Sequence, residues 1–387
     1  MTAIAAAAFV KRFWNWTMNT DTAIFSKERT LAVKGFAIAA MLFHHCFMAP
    51  KIYAGYTVNF APFSQGLVTN IALFGKLCVG LFAFVSGYGL SIKWKQESTS
   101  YYTRQNYFIS RYFSTMSAYW FVFLLCCLIC QYADGLTGAT YFAKTIPENI
   151  LGFLASFLGI GHLLNIPMLI YEWWYMSAAI CFILLVPLFC YGIDRLGGCA
   201  VAVSLVLLPR MLGISFLGGT QPFSFLMPVF LGVLFEKKHT FEKINNWICC
   251  HFHRATGKIV LVAAGLVWLF LAYKLYRRLP FEQYWEIKYG LVPLMIIIFL
   301  TEVFAFFPRI QRLFIYLGKH STNMYLTHML FLRYLKAFLF SDRYFLVSWA
   351  ILLLLTLAAS VVIETVKKRI RWDSLVISVK QRLFPTA

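Results

Sequence analysis

Apolar residues run in long blocks along this chain, separated by short polar and basic stretches. The blocks fall at 31–49, 67–92, 111–131, 169–191, 198–217, 221–236, 258–276, 288–307, 321–340 and 344–366. Most approach the roughly 20 residues a helix needs to cross the hydrocarbon of a bilayer. They predict an all-α, polytopic integral membrane protein with about ten transmembrane helices. The block at 221–236 is short. The apolar stretch 150–164 is shorter still, and reads as re-entrant or interfacial.

Composition agrees with that class. Apolar residues make up 60% of the chain, aromatic residues 18% and charged residues 13%, whereas soluble domains carry about a quarter charged residues. The formal net charge of +20 could suit nucleic acid, but the Lys and Arg gather at block ends and in loops, as membrane orientation requires. No basic stretch is interleaved with aromatics as single-strand binding would need. Nucleic acid is therefore excluded as a partner, and membrane lipids take its place.

The distribution of charge sets an orientation. With the N-terminus in the cytoplasm, cytoplasmic pieces hold Lys11, Arg12, Lys27, Arg29, Lys93, Lys95, Arg104, Arg111, a group from Lys237 to Lys258, Arg309, Arg312, Lys319 and the basic C-terminal tail. This bias predicts both termini in the cytoplasm and a multi-pass protein of the cytoplasmic (inner) membrane. Lys274, Arg277, Arg278 and Lys288, together with Arg333, Lys336 and Arg343, run against it. They either anchor loop ends to headgroups or form an outer basic rim for an anionic substrate. The N-terminal run AIAAAAFV precedes Lys11 and Arg12, the reverse of the order in a cleavable signal. Residues 1–28 are expected to form an interfacial segment, 29–370 one membrane domain and 371–387 a cytoplasmic tail.

Most of the cysteines fall inside the apolar blocks, where they act as small apolar residues. Cys249, Cys250, His251 and His253 form the one metal-like cluster. It lacks the paired spacing of a strong zinc signal, so no metal is expected.

Ionisable residues inside an apolar block are costly to insert and tend to be used. The first block carries Lys34, His44 and His45, the next Lys76, and the ninth His328. Lys34 and His45 are eleven positions apart, close to three helical turns, so they share one face about 16 Å apart along the axis. His44 points about 100° away. Arg111 opens the third block; Glu172, Trp173 and Trp174 open the fourth. Each has a plainer reading: snorkelling for Lys34, helix packing for a single histidine, topology for Arg111 and an aromatic belt for the tryptophans. Jointly, Lys34, His45 and His328 outline a site that admits a charged ligand from one side and moves protons inside.

These residues resemble a known family. Glu28-Arg-Thr-Leu-Ala-Val-Lys-Gly-Phe-Ala-Ile-Ala-Ala-Met-Leu-Phe-His-His45 is similar to the first span of membrane-bound acyltransferase family 3, with its basic residue, ten residues, then histidine. Gly75-Lys-Leu-Cys-Val-Gly-Leu-Phe-Ala-Phe-Val-Ser-Gly-Tyr88 resembles the second span, and Tyr107-Phe-Ile-Ser-Arg-Tyr112 the basic start of the third. Trp173-Trp-Tyr-Met-Ser177 resembles the fourth, and Leu317-Gly-Lys-His-Ser-Thr-Asn-Met-Tyr-Leu-Thr-His328 a late Gly-Lys-x-Ser, Tyr-Leu-x-His signature. Leu31, Ser114 and Ala179 stand where many members carry an acidic residue, a second Arg and, in some, a Glu.

The resemblance implies acyl transfer from acyl-CoA, usually acetyl-CoA, to a hydroxyl of an extracytoplasmic or lipid-linked glycan of the cell envelope. It makes His45 the catalytic base or transient acyl carrier, Lys34 and Arg111 the acyl-CoA cations, and Glu172, Trp173, Trp174 and His328 candidates for binding the acceptor. CoA is polyanionic and cytosolic, which suits cations at the cytoplasmic end. The rival class is a transporter or flippase for an amphiphilic substrate, using the same charges as a path. A structural partner in an envelope-synthesis complex and an amino-acid-uptake or sensing module are further alternatives. An enzyme consumes acyl-CoA; a carrier moves its substrate unchanged.

Overall fold

A computed structural model describes residues 25–97, 101–134, 146–213, 221–251, 254–278 and 284–385. The interfacial segment expected at 1–24 lies outside these residues. The chain is almost wholly helical. Helix α1 spans Lys27–Phe47, α2 Gln65–Phe74 and α3 Cys78–Glu97, the last two joined by a 3-10 turn at Gly75–Leu77. There follow α4 Tyr101–Asp134, α5 Ile146–Phe157, a 3-10 turn Tyr171–Trp173 leading into α6 Trp174–Leu196, and α7 Gly198–Met211. Then come α8 Leu226–Lys237, α9 Thr240–His251, α10 Arg254–Arg278 and α11 Val292–Phe306, which a π-turn at Ile287–Leu291 precedes. The last elements are α12 Pro308–Tyr334, α13 Lys336–Phe340, α14 Phe345–Arg369 and α15 Trp372–Leu383.

Every apolar block read from the sequence contains helix. Five helical stretches among the described residues are long and apolar enough to cross a membrane: Lys27–Phe47, Gln65–Glu97, Arg104–Asp134, Tyr171–Leu196 and Phe345–Arg369. Two more apolar helices, Gly198–Met211 and Ile287–Thr301, are shorter. The chain is therefore an all-α membrane protein.

Helix α1 occupies the middle. Its start is set by Ser26, whose hydroxyl accepts from the Arg29 N–H at 3.4 Å, with Glu28 in the first turn where the helix dipole favours an anion. Ala32, Val33, Ala37, Ile38 and Leu42 are fully buried, because α1 packs against α2, α3, α12 and α14. Its tightest crossing is with α12. A Cβ on Gly35 would overlap the Phe314 carbonyl, and one on Gly318 would overlap that of Leu31. Reciprocal glycines of this kind let two helix backbones touch, the usual means of dense packing where lipid removes the hydrophobic drive. The α3–α8 crossing repeats the device with Gly87 against Val229 and Gly232 against Phe84.

Two apolar cores result, one around α1, α3, α6, α8, α11, α12 and α14, the other around α4 and α5. Helix α5 covers most of the stretch expected to be re-entrant or interfacial. At 12 residues it is too short to span, and it is tied to α4. The Tyr119 hydroxyl donates to the Ser156 carbonyl at 2.7 Å and Trp120 Nε1 to that of Phe157 at 2.8 Å.

Helix is found on both sides of each expected domain limit. Helix α1 begins at Lys27, and Phe25 is already buried, its ring 4.4 Å from that of Phe241. The expected tail at 371–387 contains α15, which is docked on α4. Trp372 Nε1 donates to the Ser117 carbonyl at 3.0 Å, the Ser117 hydroxyl to Asp373 at 2.8 Å, and Lys380 to the Ser110 hydroxyl at 2.9 Å. At the other end of α1, a two-residue parallel pairing of β1 Val58–Asn59 with β2 Arg343–Tyr344 joins the loop after α1 to the loop before α14.

Candidate active site

Lys34, Met41 and His45 form one stripe of α1, continued by its C-cap Met48, and all four line a cavity of about 610 Å³. The cavity is walled by α1, α3, α4, α6 and α12. The expected one-face relation of Lys34 and His45 therefore places both on the same hollow, about 16 Å apart along the helix.

The two ends of the hollow differ. One carries Lys93 and Arg111. Arg111 reaches Glu97 at 3.4 Å, while its Nε is buried and has no hydrogen-bond partner. The other end holds His45, Lys76 and Glu172. There a second cavity of about 500 Å³ begins, sharing His45, Met48, Tyr171 and Glu172 with the first. It runs to Lys51, Arg333 and Lys336; Arg333 is paired with Asp134 at 2.7 Å. His45 thus stands where two hollows from opposite ends of α1 meet.

His328 is fully buried behind His45, with ring centroids 4.8 Å apart. Its Nδ1 lies 2.5 Å from the Tyr325 carbonyl. A carbonyl only accepts, so Nδ1 carries the proton and, in the neutral ring, Nε2 is left as an acceptor. That Nε2 has no hydrogen-bond partner among the described residues. His328 therefore lines neither cavity but backs the ring that does. His44, offset by about 100° from His45, touches the first cavity as well, but its ring is engaged elsewhere. It is buried, and its Nδ1–H donates to the Ala72 carbonyl at 2.7 Å.

The remaining candidates separate. Glu172 lines both cavities, and Trp174 lines the first. Trp173 lines neither. It is buried in the second core, where its Nε1 donates to the Leu326 carbonyl at 3.0 Å. With the Tyr325 hydroxyl donating to the Glu172 carbonyl at 2.6 Å, Trp173 fastens the 171–173 turn to α12 and so holds Glu172 near His45. Arg277, Arg278 and Lys288 line neither cavity; Lys288 Nζ sits 4.2 Å from the centre of the Tyr276 ring. Cys249, Cys250 and His251 end α9, and His253 lies outside the described residues. No three metal-binding side chains gather among the described residues.

Lys76, Lys93 and Tyr175 are cavity residues to which sequence reasoning gave no role. Its place inside an apolar block marks Lys76 as unusual; that it reaches the same hollow as His45 is not readable there.

A family model described as an acyltransferase domain matches residues 32–365. The chain belongs to the acyltransferase 3 family. No curated protein and no solved structure matches it. The match covers all but the first turn of α1 and nearly all of α14, and with them every residue that lines the two cavities. The protein is thus a multi-pass membrane acyltransferase, and the stripe on α1 lies within the matched acyltransferase region.

Proposed function

We propose that this acyltransferase moves an acyl group, in the first instance acetyl, from acyl-CoA to a hydroxyl of a cell-envelope carbohydrate or glycolipid. The observation that carries the reading is the place of His45, which is shared by two cavities. One runs past Lys34, Lys93 and Arg111, the other past Lys51, Arg333 and Lys336. The first suits a polyanionic donor, because Lys and Arg meet phosphate by charge-assisted hydrogen bonds. The second gives an acceptor its own way to the same imidazole.

In this reading His45 takes the proton of the acceptor hydroxyl as its oxygen attacks the thioester carbon. The new C–O bond forms, the C–S bond breaks, and the thiolate leaves with the proton His45 had taken, giving CoA thiol. His328 packs against the His45 ring, with centroids 4.8 Å apart, and backs it on the cavity wall. His45 could equally carry the acyl group between two attacks; a burst of CoA release without acceptor distinguishes that route. Orientation follows from the charge bias, with the Lys93 and Arg111 end in the cytoplasm and about ten spans in all.

The test is consumption of labelled acetyl-CoA by the purified protein, with mass analysis of envelope glycans from cells with and without it. Acyl groups lost from a glycan when the gene is removed support the reading. No acetyl-CoA consumption by the intact protein, together with substrate moved unchanged across vesicles, refutes it in favour of a carrier.

A further inference from the structure

Lys76 has no part in the scheme above. It sits in the 3-10 turn that joins α2 to α3 and lines the first cavity together with His45. Its amine makes no ion pair with any described residue. Glu172, the one carboxylate among the residues lining that cavity, is therefore more than 4 Å from it. The turn is fixed against α1 in two ways. His44 donates to the Ala72 carbonyl just before it, and a Cβ on Gly75 would lie 3.0 Å from the Ala40 carbonyl and 3.4 Å from the His44 Cβ. Lys76 thus leaves the backbone at the depth of Ala40–His44, about one helical turn from His45. Lys93, at the other end of α3, is about 25 Å away along the helix.

A cation at membrane depth costs a few kcal/mol, and it is usually met by a partner. Here the described residues supply none, so the counter-charge is assigned to the ligand. The phosphates of CoA have Lys34, Lys93 and Arg111 at the far end. What becomes negative beside His45 is the carbonyl oxygen of the thioester under attack.

We propose that Lys76 is a catalytic residue of acyl transfer, its ammonium group holding the oxyanion of the tetrahedral adduct. The inference rests on the acyl-transfer reading. As the acceptor oxygen bonds to the carbonyl carbon, the C=O π pair moves onto oxygen and is held by Lys76, while the hydroxyl proton goes to His45. Collapse restores C=O, breaks C–S and returns that proton to the CoA sulfur. Lys76 keeps its proton throughout, and its charge is worth most when the oxygen is fully negative.

The test uses the full-length protein in nanodiscs, acetyl-CoA as donor, and glycerol or water as surrogate acceptor. Lys76→Met is expected to lower kcat by about 10²–10³-fold, the usual loss on removing one oxyanion donor. Lys76→Arg, which keeps the charge, retains more activity. Binding of S-ethyl-CoA, which has the phosphates but no carbonyl oxygen, should not change. If Lys76→Met does not fold, Lys76→Gln decides by the same numbers. A Lys76→Met or Lys76→Gln kcat within about threefold of wild type overturns the proposal, being far short of the loss an oxyanion donor entails. Weaker S-ethyl-CoA binding with kcat kept also overturns it and moves Lys76 to the phosphates. If wild type releases no more CoA than His45→Ala, the acyl-transfer reading itself fails, and Lys76 with it.

Discussion

His44 and His45 are adjacent, yet their removal should have opposite effects. The His45 ring is half-buried on a cavity wall, and among the described residues it makes no hydrogen bond that its loss would orphan. His45→Ala should therefore leave the melting temperature in detergent nearly unchanged. It should cost turnover heavily. A positioned general base contributes about 10²–10⁴-fold, which at about 1.4 kcal/mol per decade is about 3–5 kcal/mol of barrier. His44 makes its bond inside the protein, so His44→Ala removes a buried donor from the Ala72 carbonyl at 2.7 Å. Leaving a buried polar group unpaired costs about 1–3 kcal/mol. The melting temperature should fall visibly, with a smaller loss of rate. The assay is transfer from labelled acetyl-CoA at matched amounts of folded protein, beside thermal unfolding of the same samples. Near wild-type turnover by His45→Ala, or greater loss of rate for His44→Ala than for His45→Ala, refutes the assignment.

Three further expectations concern the donor, the packing and the orientation. Lys34→Leu and Arg111→Ala should each weaken acyl-CoA binding, with Lys34→Arg better tolerated. The Arg111 effect should be the smaller, since Glu97 already takes part of its charge at 3.4 Å; equal affinity in wild type and Lys34→Leu, measured by calorimetry, refutes the role of Lys34. Gly318→Val should destabilise by about 1–3 kcal/mol or more, as overpacking does, because its Cβ has the Leu31 carbonyl in the way; Gly66→Ala, with open space around it, is the neutral control in the same unfolding assay. Single cysteines at Ser64 and Ser378, both exposed, in a background lacking the exposed Cys199 and Cys250, report sidedness. An impermeant reagent on intact cells should label Ser64→Cys and not Ser378→Cys, and the reverse pattern inverts the topology. Ser98, on the same predicted side as Ser378, lies outside the described residues.

Much of this was legible from spacing alone. Eleven positions on a 3.6-residue helix put Lys34 and His45 on one stripe, and the cavity follows that stripe. The same arithmetic set His44 off that stripe, yet the hollow is wide enough for His44 to line it too. Lys76 was not legible as a cavity residue, because the block 67–92 reads as one uninterrupted helix. The stretch is indeed continuous helix with a short 3-10 turn at Gly75–Leu77, and which of its faces meets the hollow is set by its packing against α1, a tertiary contact that no local pattern records. Trp173 and Trp174 were indistinguishable in sequence. Which one faces the hollow is settled by the Trp173 bond to the Leu326 carbonyl, 153 positions away. The docking of α15 escaped notice for a similar reason, since its basic, amphipathic sequence suits a free tail equally well until α4 is placed beside it.

Four side chains, His45, Met48, Tyr171 and Glu172, line both hollows. A membrane that stores energy as an ion gradient would lose it through any open channel. These four side chains are therefore also insulation. Trimming Met48 to alanine would open space where donor and acceptor meet, and what it risks first is electrical rather than chemical. The width of acyl group this protein can handle is bounded by how far its own septum can be thinned before the membrane leaks.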